Sequence, residues 1–185
     1  MLSGKFTRDQ LVERLKHMGA CQPAVDWVRS QTGTPEELYN RCSAQWLSWL
    51  VGRALSPPAR VALAVQLATP ALRFLNAADY DARSALDIAS HWAGELSFAA
   101  AIYEIGYNLI DRGLYDAPSF ARAAIRSVCA CHAITMLHTV VSCAALAAQC
   151  GDGRAAHDLS LTESARLIRL SVSWPVVEQW LRGMA

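Results

Sequence analysis

Residues 34–52 read TPEELYNRCSAQWLSWLVG, and this run decides the fold class. Thr34 can cap a helix through its hydroxyl, and Pro35 follows at the first helical position, where a missing N–H removes nothing. Glu37 is placed to reach back to the Thr34 backbone, completing a capping box. Ser43 starts a second helix, in which Trp46 and Leu47 are followed one turn later by Trp49 and Leu50. Gly52 and then Ser56-Pro57-Pro58 interrupt it. Two helices in direct succession, each with its own start signal, predict an all-α chain.

The same punctuation continues in both directions. Upstream, Thr7 with Gln10 forms another capping box for a helix running to about Gly19, and Pro23 opens a short helix that carries Val25, Trp27 and Val28 and ends at Gly33. Downstream, a helix passes through Val61 to Leu67 and Thr69-Pro70 restarts the chain. Further helices are expected through Ala85, Ile88 and Trp92 to near Gly94, and from about Glu95 to Asp111. A long one should span Ala117 to Gln149, closed by Gly151-Asp152-Gly153, before two last helices over Ser160–Val172 and Pro175–Leu181. Sustained period-two alternation with hairpin dipeptides is missing. The expectation is one helical domain over residues 1–185, a compact bundle of about 8–10 helices around a long central apolar helix.

Composition sharpens this. The chain has 185 residues, 53% of them apolar and only 18% charged. Less charge than usual means less solvated surface, so outer faces are expected to meet another protein or another copy of this one. The formal net charge is +1, from 17 basic and 16 acidic residues, which provides no field for drawing in nucleic acid or anionic lipid. Six cysteines in a chain this rich in core residues read as free, mostly buried thiols, and Lys5, Arg8 and Asp9 interrupt any secretory leader. The expected location is the cytoplasm. No charged residue occurs from Ser127 to Gln149, but His132, Thr135, His138, Thr139, Ser142 and Gln149 form a polar stripe at helical spacing. That argues for a central helix inside a bundle rather than a membrane span.

Candidate chemistry is sparse. Cys129-Ala-Cys131-His132, with His138 nearby, superficially resembles a metal cluster, yet on a helix residues 129 and 131 point about 200° apart. Buried thiols and hydrogen-bonded core histidines are the preferred reading, and no metal or cofactor is expected. Asp87, His91 and Glu95 share a face at i, i+4, i+8 if their helix passes Gly94, with Glu104 as one further acid. They make the alternative reading, a metal-binding or enzymatic bundle, although i,i+4 pairing on a solvated face explains them more simply. Nucleophile elbows, phosphate-binding glycine loops and His-Glu-x-x-His are not found, so no catalytic residue is assigned. Trp46 and Trp49 read first as core anchors and second as a binding hot spot. Trp174, Trp180, Arg166 and Arg169 are the candidate partner-binding residues, because terminal helices are readily presented and Trp and Arg dominate hot spots.

Several blocks also carry a resemblance. Gly19-Ala20-Cys21, Ala24 and Trp27, the run Thr34–Cys42, Trp46-Leu47-Ser48-Trp49-Leu50, and Ala85–Glu95 with its Trp-x-x-Gly-Glu ending resemble a helical family of phage-encoded and bacterial immunity proteins. The likeness covers roughly residues 10–100. Beyond it, that family tends to long alanine repeats, whereas this chain has a helix rich in Cys, His and Thr. The resemblance implies a protein that binds and neutralises another protein, and it implies no catalytic residue. The expected function is therefore a non-catalytic protein-binding module that blocks or sequesters a protein complex. An inhibitor of a bacterial defence complex, such as an anti-CRISPR protein, and a toxin-neutralising immunity protein both fit, and a homo-oligomer fits the composition.

Overall fold

The computed structural model describes residues 5–77, 79–91, 116–131 and 136–183, and among them it contains ten α-helices and no strand. Residues 8–17 form α1, 22–30 α2, 35–41 α3, 44–54 α4 and 57–68 α5. A 3₁₀ segment over Thr69–Phe74 follows directly, because Pro70 cannot supply the N–H that would continue α5. Then come α6 (Tyr80–Ser90), α7 (Ala117–Cys129), α8 (Leu137–Asp152), α9 (Arg154–Ser171) and α10 (Trp174–Gly183).

Both capping boxes form. The Thr7 hydroxyl accepts from the Gln10 N–H at 3.3 Å while the Gln10 side chain accepts from the Thr7 N–H at 2.8 Å. Thr34 and Glu37 do the same at 3.3 and 2.7 Å. Gly52 does not end α4; it lies buried inside the helix, and Ala54 is the last residue. The Arg60 guanidinium, itself buried, donates to the Gly52 carbonyl at 2.9 Å and so ties α5 to the end of α4.

The bundle is organised about α8. Val140, Val141, Ala144, Ala145, Ala147 and Ala148 are all buried, and α7, α9, α4, α5 and the 3₁₀ segment pack around them. The alanines let neighbouring backbones approach closely, which is how one thin helix serves so many partners. Among the described residues, nearly all the buried apolar side chains join one cluster from Phe6 to Leu181.

Three expected boundaries differ. The long helix expected over 117–149 is two helices, with a turn at Ala130 and Cys131 whose N–H groups bond to Ser127 and Val128. A single helix over that range would be about 50 Å long, against a radius of gyration of about 16 Å for a domain of this length. Folding the run back lets α7 pack along α8 and buries Cys131 completely. Second, Gly151 and Asp152 stay within α8, and Gly153 alone, at φ 89°, separates it from α9. The helix expected from Ser160 therefore begins at Arg154. Third, α6 ends at Ser90 rather than near Gly94, with His91 as its C-cap. The helix expected over 95–111 lies outside the described residues.

Candidate aromatic binding cleft

Helices α1 to α4 do not close on one another completely. Between them lies a cleft of about 330 Å³, with α8 and α10 contributing one residue each, His138 and Trp174. Apolar side chains on the inner faces of α1 and α2, among them Leu11, Leu15 and Val28, form part of its wall, and Trp27, Trp46 and Trp49 form another. Among the described residues, the wall contains no Asp, Glu, Lys or Arg.

The indoles are held from the sequence upward. Trp46 and Trp49 come one turn apart on α4 because Ser43 caps that helix, its hydroxyl accepting from the Trp46 N–H at 3.4 Å. Trp27 projects from α2, and its ring centroid lies 5.6 Å from that of Trp46 at an interplanar angle of 59°, the tilted arrangement aromatic pairs favour. The Arg53 guanidinium sits 3.7 Å from the centroid of Trp49 and donates to the Trp49 carbonyl at 3.2 Å, fixing that ring from its own helix. All three indoles nonetheless stay half-buried.

Tyr39 and Trp174 close the inner end. Their centroids are 5.7 Å apart, Phe6 lies 6.1 Å from Trp174, and the Tyr39 hydroxyl donates to the Val172 carbonyl. Burial pushes the Tyr39 phenol well above its ordinary range, so it remains a donor at any physiological pH. Burial likewise lifts the Cys42 thiol to about 11, against the opposing pull of Arg169. His138 lines the cleft from α8, and its Nδ1 is shut off from solvent without a hydrogen-bond partner among the described residues. A hydrogen-bonded core histidine is the expectation from sequence at this position. A buried ring nitrogen left unmatched is uncommon in a finished core.

The residues singled out in the sequence fall in different places. Trp174 belongs to the cleft, but as an inner wall: it is only 6% exposed, and its indole N–H donates to Glu178 at 2.8 Å. Its indole is therefore an inner wall and not a side chain presented at the surface of a terminal helix. Trp180 is partly buried against the core. Arg169 turns inward, donating to the Cys42 carbonyl at 2.8 Å and the Tyr39 carbonyl at 3.4 Å, so it caps α3 from α9. Arg166 is exposed and pairs with Glu163 on its own helix at 2.6 Å.

Asp87 and His91 are exposed on α6, where His91 Nδ1 lies 2.8 Å from the Asp87 carbonyl oxygen rather than meeting its carboxylate. Glu95, Glu104 and His132 lie outside the described residues. Among the described residues no three His, Cys, Asp or Glu side chains group as metal ligands. Cys129 and Cys131 are buried, and desolvation pushes both thiols up to about 12, which leaves them protonated and unreactive at neutral pH. No helix among the described residues is long and apolar enough to cross a membrane.

The sequence places Trp46 and Trp49 first in a core and only second in a binding surface, and Trp27 simply on a short helix, whereas all three line the cleft. The signal was present in the Trp-Leu-x-Trp-Leu spacing, but spacing alone does not tell a sealed core from an open wall. Comparison with family models, with curated proteins and with solved structures finds no match to this chain.

Proposed function

We propose that this chain is a non-catalytic binding protein, that it covers or displaces a surface of a protein partner, and that it grips that partner in the aromatic cleft. The observation that carries the reading is the cleft's wall: three partly exposed indoles around about 330 Å³ of space, with no charged residue among the described residues of its lining. Tryptophan is enriched where a few side chains supply most of the binding energy, and recognition pockets are concave and mostly apolar with few polar groups. The volume and neutrality fit one or two large uncharged side chains (Leu, Met or Phe) presented by the partner. Gln45 and the imidazole of His138 add polar character to the wall. The immunity-protein resemblance makes a bacterial defence complex or a toxin the class of partner to try first.

Selection of random displayed peptides against the wild-type chain tests this. Retained peptides are expected to share large uncharged side chains. They should lose at least tenfold in affinity for Trp46→Ala and for Cys21→Arg, which sets a charge on the exposed rim. Charge-rich peptides, or equal binding by both variants, would place the binding surface elsewhere.

A further inference from the structure

Among the described residues, two of the four most exposed large apolar side chains lie on α9: Leu159 at 69% and Leu170 at 71%. Eleven positions make three helical turns, so the two leucines differ by only about 20° around the axis and stand about 16 Å apart along it. Between them on the same stripe sit Glu163 and Arg166, at about 40° and −20° from Leu159. Their side chains are 47% and 57% exposed, and they pair at 2.6 Å. The outer face of α9 thus reads Leu, Glu, Arg, Leu within an arc of about 60°.

This order is its own complement. The midpoint of 159 and 170 is also the midpoint of 163 and 166, between Ser164 and Ala165. A second copy of α9 laid antiparallel about a two-fold axis at that height sets Leu159 against Leu170 of the other copy. It also sets Glu163 against Arg166, and both matches occur twice. A parallel, in-register pairing would instead set Glu163 on Glu163 and Arg166 on Arg166, placing like charges together. Beside Leu159 and Glu163 lies a groove of about 180 Å³, lined in part by Pro70, Phe74 and Ala148, so the stripe borders further apolar surface.

We propose that this face of α9 is an isologous interface, through which two copies of the chain associate antiparallel in the 159–170/163–166 register. Matching charge and matching leucines on one self-complementary surface are what a two-fold dimer requires. The stripe shares no residue with the aromatic cleft, so the dimer leaves the cleft's lining untouched.

Sedimentation equilibrium of the full chain over a wide concentration range tests the proposal, with far-UV circular dichroism confirming that each variant is folded. The wild type should show a monomer–dimer equilibrium, weakened at least tenfold by Leu159→Glu or Leu170→Glu. Glu163→Arg alone and Arg166→Glu alone should each be monomeric, since each faces like charges across the axis. Mixed in equal amounts, they should form a heterodimer, because every Arg then meets a Glu. A wild type that stays monomeric throughout, leucine variants that dimerise as before, or folded charge variants that fail to associate on mixing would each overturn it.

Discussion

The Arg169 guanidinium reaches from α9 to the Tyr39 and Cys42 carbonyls at the end of α3, where no further helical turn supplies donors. A hydrogen bond from a charged donor contributes about 1.5–3 kcal/mol, reduced where the donor is partly exposed, as here. Arg169→Met keeps much of the stem and removes both bonds, so it should lower stability by about 1–2 kcal/mol in urea unfolding. An unchanged midpoint would show that water replaces the guanidinium freely. Burial gives the thiols a second, pH-dependent role. Cys42 is held up at about 11 and Cys129 and Cys131 at about 12, whereas the unfolded chain releases thiol protons from about pH 8.5. The folded state therefore binds more protons across that window. The stability these groups confer is complete below about pH 8.5 and falls as pH rises through 11 to 12. The urea midpoint should drop between about pH 8 and 10.5 under reducing conditions, and drop less in Cys131→Ala. An equal drop in that variant would assign the effect to other groups.

At the scale of elements, Gly151 marks where α8 meets the 3₁₀ segment. A methyl group there would lie 2.2 Å from Cε1 of Phe74, inside any tolerable contact. Replacing a helical glycine with alanine normally gains about 0.5–1 kcal/mol, but overpacking costs about 1–3, so Gly151→Ala should destabilise on balance. A raised thermal midpoint would mean that Phe74 swings aside without penalty. Arg60→Ala removes the bond to the Gly52 carbonyl and empties a buried site, at a cost of about 2–4 kcal/mol by chemical denaturation, while Arg60→Met should cost less. Elements were legible where their signals are local. Thr7 with Gln10 and Thr34 with Glu37 need only residues three apart, and both formed as expected. The turn at Ala130 and Cys131 carries neither glycine nor proline; it exists because α7 gains more by packing along α8 than by extending past it. Gly153 was readable as a break, but its neighbours are good helix formers, so the next helix starts immediately.

For the whole molecule, the all-α class followed from punctuation repeated along the chain, and the central position of α8 followed from its uncharged run. The cleft did not. The spacing of Trp46 and Trp49 places them on one face of α4, but whether that face is sealed depends on how α1 and α2 lie across it. That is decided by packing between segments distant in sequence. The same holds for Trp174, whose burial depends on Phe6 and Tyr39. The proposed function requires that this opening accept an apolar, uncharged group. Titration with the neutral fluorophore N-phenyl-1-naphthylamine, read by quenching of tryptophan emission and growth of probe emission, addresses it directly. Saturable binding at one site per chain is expected, weakened at least tenfold in Trp46→Ala and Cys21→Arg and unchanged in Leu159→Glu. No saturable binding, or equal binding by the cleft variants and the wild type, would contradict it.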